Sequence, residues 1–199
     1  MSIQAVPLRE RQARQVREAL LEAAIAALEA QPLQEISMAE VARAAGVSLR
    51  TLYRYFPHRA GLLGAAGEHI YASLGVPIEI EGPEAIAGNF REAARKLSAR
   101  PRLVRALVQT RAGRTARSRL RAHRREAIEG ALEPLLAGLQ PELARQASAM
   151  IAQLCSAAAW VAVADESGVS DADAQAAVAW AIETLVAALR RPGRRSNSV

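Results

Sequence analysis

Tyr53, Tyr55 and Phe56 fall within four positions of the stretch AGVSLRTLYRYFPHR, residues 45–59, in a chain with only two Trp, three Tyr and two Phe. Arg50, Arg54 and Arg59 stand beside them, with hydroxyls at Ser48 and Thr51. These groups suit recognition of an anionic, hydrogen-bonding surface. A guanidinium at Arg50 can donate bidentately to a guanine edge, a contact worth about 1–3 kcal/mol of discrimination. The phenols of Tyr53 and Tyr55 are long enough to reach phosphates while their rings brace the helix that carries them. The usual arrangements of catalysis are missing. His58, His69 and His123 lie in different segments, none at metal-ligand spacing with another His or Cys. No Gly-rich phosphate loop is present, and no strand–turn–helix context exists for a nucleophile elbow. The expectation is a binding protein without enzymatic activity, cofactor or metal.

The elements that position this stretch follow from capping signals and apolar spacing. Val16, Leu20, Ala23, Ala24, Ala27 and Leu28 make a first amphipathic helix over about 12–29, stopped around Pro32. Ser37 with Glu40 forms a capping box before a short second helix whose buried side is Met38, Val41, Ala42 and Ala45. Gly46 ends it in the left-handed conformation, and Val47 fills the turn. Ser48 caps a third short helix to about Tyr55, which Pro57 prevents from continuing. Two short helices joined by Gly-Val fit a helix-turn-helix, the second helix entering the major groove. Val47, Leu52 and Phe56 are spaced to face the core, leaving Ser48, Leu49, Arg50, Thr51, Tyr53, Arg54 and Tyr55 outward or sideways. Arg54 suits a solvated or phosphate-bound charge better than a base reader, and Ser37 and Ser48 are caps whatever else they do.

The run SMAEVARAAGVSLRTLYRYFPHRAGLL resembles the N-terminal domain of the TetR (tetracycline repressor) family of bacterial transcription regulators. The similarity spans residues 16–63 and includes AALEA, AGVS, TLYRYF and LL. It implies a three-helix DNA-binding domain, a larger helical effector-binding domain, and a homodimer on a palindromic operator. It also implies phosphate contacts at Ser37, Tyr53, Tyr55 and the basic position after the Pro, which is His58 or, preferably, Arg59. Base contacts would fall at Leu49, Arg50 and Thr51. The chain departs from the family pattern in carrying Arg50 at an often small position and AQPLQ where a Gly usually follows the first helix.

Downstream, helices are expected over about 59–74, 83–99, 101–111, 115–138, 141–166 and 170–191, which makes about nine in an all-α chain. Ala, Leu, Glu and Arg are good helix formers, and Ile78 and Ile80 are too short a run for a strand. The expected domains are 1–58 for DNA binding, with roughly the first ten residues disordered, then 59–191 for effector binding and dimerisation, and a disordered basic tail at 192–199. By resemblance, the effector pocket lies among residues 83–165. Leu103 and Leu107 form an apolar stripe that continues to Arg111, and Ile128 shares a stripe with Arg117 and Arg124. An arginine on an apolar stripe wants an anion unless it reaches solvent or pairs with a Glu. The expected effector is therefore small and lipophilic, with an acidic group as one of the two readings and Trp160 a further candidate lining residue. In the family the last two helices form the dimer interface, here expected at Met150, Leu154, Ala158, Val178, Ile182, Leu185, Val186 and Leu189.

A formal net charge of +6 does not by itself specify nucleic acid. Residues 1–70 carry eight Arg against seven Glu, whereas residues 91–125 carry twelve Arg and Lys96 against Glu92 alone. No apolar run approaches the roughly 18 residues of a membrane span. The N-terminus has no apolar signal segment, and Cys155 stands alone, so a cytoplasmic protein without membrane contact is expected. Two other functions compete with the regulator: a helical small-molecule-binding dimer without specific operator binding, and a DNA-binding module without an effector.

Overall fold

Helix-favouring composition and well-placed caps produce eleven helices among the residues described by the computed structural model, 7–30 and 36–190. They are α1 (Leu8–Ala30), α2 (Met38–Ala44), α3 (Leu49–Tyr55), α4 (Arg59–Ser73), α5 (Ala85–Leu97), α6 (Pro101–Gln109), α7 (Arg111–Ala116), α8 (Ser118–Leu136), α9 (Pro141–Leu154), α10 (Ala157–Ser167) and α11 (Asp171–Leu189). No strand occurs among them. The chain is all-α, as its composition requires.

Two helices exceed the expected nine, and both arise at hydroxyl residues. Thr110 adopts an extended conformation, accepts the Gly113 N–H at 2.9 Å and donates to the Ala106 carbonyl at 2.7 Å. It thereby closes α6 and starts α7 where a break had been expected. The expected 141–166 helix is likewise interrupted at Cys155 and Ser156. The Ser156 backbone is extended, its hydroxyl donates to the Gln153 carbonyl at 2.7 Å, and the helices on either side are bent by 72°. The first helix also starts earlier than expected, at Leu8, so residues 8–10 are helical rather than disordered. Residues 1–6 and the tail 192–199 lie outside the described residues.

The chain packs as two units, and the boundaries are not at residue 58. The first contains the described residues up to Ala72 together with Arg105–Arg119; the second contains Ser73–Val104 and the residues from Leu120 onward. In the first unit, Leu20, Leu21, Ile25 and Leu28 of α1 are buried with Val41, Leu52, Leu62 and Ile70. Two glycines set how closely its backbones approach. A Cβ at Gly67 of α4 would stand 2.1 Å from the Ala116 carbonyl oxygen, and one at Gly113 would stand 2.3 Å from that of Ala106. In the second unit, Ile86 and Phe90 of α5, Ile128 and Leu132 of α8, Trp160 of α10 and Ile182 of α11 are buried. Phe90 and Trp160 meet edge to face, with centroids 5.9 Å apart, a geometry favoured by the ring quadrupoles.

By length and mean hydropathy (1.3), α11 qualifies as a membrane span, which the sequence reading did not anticipate. Only 28% of that apolar window is buried within the protein. Val178, Ile182 and Val186 are buried in the second unit, Glu183 pairs with Arg91 at 2.8 Å, and Gln175 donates to Ser98 at 2.9 Å.

Candidate nucleic-acid interface

Ser37 caps α2 by accepting the Glu40 N–H at 3.4 Å. Only this half of the expected capping box forms; among the described residues the Glu40 carboxylate does not return a bond. Gly46 takes a positive φ of 69°, and its neighbour Val47 donates its N–H to the Ala42 carbonyl, so the chain turns sharply into α3. Ser48 then accepts the Thr51 N–H at 3.1 Å, and the two hydroxyls are 2.9 Å apart. The turn and both caps are thus fixed by local bonds that the sequence makes legible.

Once α3 is started, its spacing divides its side chains. Leu52 is 0% exposed and Phe56 is 6% exposed, so the helix is pinned to the core along one stripe. Leu49 and Tyr53 are 41% and 46% exposed, respectively, and Arg50 and Arg54 are exposed with them. Thr51 and Tyr55 are half-buried at the edges of that face. The three clustered aromatics therefore do different work. Phe56 anchors, Tyr53 projects, and Tyr55 carries the Arg54 guanidinium 5.4 Å from its ring centroid, a cation–π contact that holds the charge at the surface. Phe56 itself lies under the Arg17 guanidinium, 5.6 Å from its centroid. The sequence reading missed Arg17, although its three-residue spacing from Arg14 and Arg11 was visible.

His58 is exposed between α3 and α4, and Arg59 opens α4 half-buried and engaged within the protein. His69 is half-buried, and its Nε2 lies 2.8 Å from Glu22 of α1, across the first unit. His123 is exposed. The expected DNA-contact residues thus fall at the start of α2, along α3 and at the start of α4, all within the first unit.

The expected effector residues are divided between the two units. Leu107, Arg111 and Arg117 fall in the first unit, and Leu103, Arg124, Ile128 and Trp160 in the second. Leu103, Leu107 and Ile128 are buried. Arg117 is buried too, but its Nε donates to the Leu107 carbonyl at 2.8 Å, so the chain supplies its acceptor. Arg111 is exposed in the first turn of α7. Arg124 differs from both: its Nε is buried with no hydrogen-bond partner. Burial pushes the nearby Cys155 thiol up to about 12, with the Arg124 charge pulling the other way. Trp160 lines a cavity of about 400 Å³ with Arg95, Ser98, Pro101, Val104 and Gln175.

The expected dimer residues divide in two. Val178, Ile182 and Val186 are buried in their own chain and cannot meet a partner directly. Met150, 53% exposed, and the half-buried Leu185 and Leu189 instead line an apolar groove of about 370 Å³ with Leu139, Leu143 and Ala147. Leu154 and Ala158 are half-buried at the α9–α10 bend. Trp180 on α11 is 67% exposed.

Comparison with known proteins agrees with this surface. Residues 20–66 match the family model of bacterial regulatory proteins, tetR family. A TetR transcriptional regulator from Rhodococcus sp. RHA1 is 26% identical over 87% of this chain and 97% of its own, with a TM-score of 0.57. NalD, the secondary repressor of the MexAB-OprM multidrug efflux pump in Pseudomonas aeruginosa, shares the fold at 21% identity over 94% of this chain and 100% of its own, TM-score 0.58. BioQ shares it at 17% identity over 88% of this chain and 98% of its own, TM-score 0.62. No curated protein matches the chain.

Proposed function

We propose, from the match of residues 20–66 to the family model of bacterial regulatory proteins, tetR family, that the chain is a DNA-binding transcription regulator acting as a homodimeric repressor on a palindromic operator. The observation that carries the reading is the division of α3, with Leu52 and Phe56 sunk in the core and Leu49, Arg50, Tyr53 and Arg54 exposed. A helix anchored along one stripe offers its other face at fixed geometry. Arg50 reads a base edge, with Leu49 and Thr51 beside it. Ser37, Ser48, Tyr53, Tyr55, Arg54, His58 and Arg59 hold the backbone and set register.

Dimerisation uses the groove of α9 and α11 with the exposed Trp180, and places two recognition helices about 34–36 Å apart for successive major grooves. A small lipophilic acid is the effector class, with Arg124 as its anchor, since a buried guanidinium Nε without an acceptor is costly until a carboxylate supplies one. An effector bound in only one state would shift the population away from the DNA-competent spacing.

Selection of random duplexes against the purified protein, followed by the salt slope of the winner, tests this directly. A palindrome preferred tenfold or more, with a steep slope, is expected. Sequence-blind binding would instead leave a helical small-molecule-binding dimer as the function.

A further inference from the structure

The inward stripe of α1 changes chemistry along its length. In the second half of the helix it carries Leu20, Leu21, Ala24 and Leu28, all buried. One and two turns earlier the same stripe carries Arg17 and Arg14, both exposed, with the exposed Arg11 flanking them. The cationic segment is not left pointing anywhere. Arg17 rests over Phe56, the C-cap of α3, at 5.6 Å, so the first turns of α1 run past the C-terminal end of the recognition helix. Glu10 and Glu18 stand one turn to either side of Arg14, at helical ion-pair spacing. Neither pairs with it among the described residues, and Arg11 has no carboxylate partner there either.

We propose that Arg11, Arg14 and Arg17 form a second DNA-backbone contact, taking phosphates that flank the half-site read by α3. This rests on the operator-binding reading and extends it to an element that reading does not use. Arginine suits the role because its planar fork meets phosphate oxygens bidentately. From Arg11 to Arg17 the helix advances about 9 Å, and at about 3.4 Å of axial rise per phosphate along one strand that covers two to three phosphates. The Arg17–Phe56 contact ties this strip to α3, so both engage one duplex at a fixed offset. Such contacts add affinity and footprint but carry no base preference.

The test compares the full-length protein with Arg11→Ala/Arg14→Ala by anisotropy titration, across about 50–200 mM salt, on a selected operator and on a random duplex of equal length. Both positions are exposed and Ala is the best helix former, so the helix persists. The variant is expected to lose about 0.9 of salt slope for each phosphate released, equally on both duplexes, leaving their affinity ratio unchanged. Arg11→Lys/Arg14→Lys is expected to restore the slope. An unchanged slope on both duplexes overturns the proposal. A fall in the affinity ratio overturns it as well, because the strip would then be reading bases. If the unmodified protein shows no preference for its selected duplex, the operator reading fails, while the slopes on random DNA still decide the role of α1.

Discussion

Arg50 leaves the first turn of α3 with its donors uncommitted among the described residues, whereas its neighbours Ser48 and Thr51 are bonded to each other. Arg50→Ala should therefore cost about 1–3 kcal/mol at one base pair and little elsewhere, which affinities for a set of singly substituted operators would measure. A uniform loss across that set would make Arg50 a phosphate contact. Arg59→Ala should behave in the opposite way, weakening every sequence alike and flattening the salt slope. Cys155 makes a prediction about pH. Its thiol, pushed up by burial to about 12 in the fold from an ordinary 9.0, holds its proton more tightly than the unfolded chain does. Its contribution to stability is thus complete below pH 9 and is lost progressively from there toward 12. Replacing it in Cys155→Ala should flatten the alkaline decline of Tm over that window. The native thiol should also resist alkylation at neutral pH until the chain unfolds.

At the scale of elements, glycine substitutions separate close packing from helix propensity. Gly130 sits exposed in α8 with open space where a Cβ would go, so Gly130→Ala should stabilise by up to about 1 kcal/mol. Gly67→Ala gains the same propensity but drives a methyl to 2.1 Å from the Ala116 carbonyl, backbone that cannot rotate away. Overpacking costs about 1–3 kcal/mol or more, so a lowered Tm is expected by calorimetry; a raised one would mean that α4 and α7 are less tightly apposed. The same contrast explains what the sequence made legible. Ser37, Gly46, Ser48 and Pro57 are local signals, and α2 and α3 fall where those residues require. Gly67 and Gly113 give no comparable local signal, since their necessity lies in a backbone distant along the chain or across a turn. The break at Ser156 was visible as a hydroxyl residue but was outweighed by continuous apolar spacing, whereas after Thr110 a break was expected and the short α7 filled it. Periodicity also identified the apolar faces of α9 and α11. It could not tell the stripe Val178–Ile182–Val186, which meets its own chain, from Leu185 and Leu189, which line an open groove.

For the whole molecule, that groove and Trp180 predict the assembly. Stable interfaces bury about 800 Å² per partner around a few large apolar side chains, and Met150→Asp would put a charge where such a core needs none. Sedimentation should show a dimer for the native chain and a shift toward monomer for Met150→Asp, with operator affinity falling in step. A native monomer that still bound a palindrome tightly would remove the α9–α11 surface from consideration. One feature of the packing bears on how this architecture can be rearranged. The first unit is discontinuous in sequence, closing with Arg105–Arg119 and fitting Ala116 against Gly67. The DNA reader is therefore not a detachable cassette. A chimera that borrows the N-terminal 72 residues alone would strip the cover from Gly67, so grafting this specificity onto another sensor means transplanting two stretches of chain together.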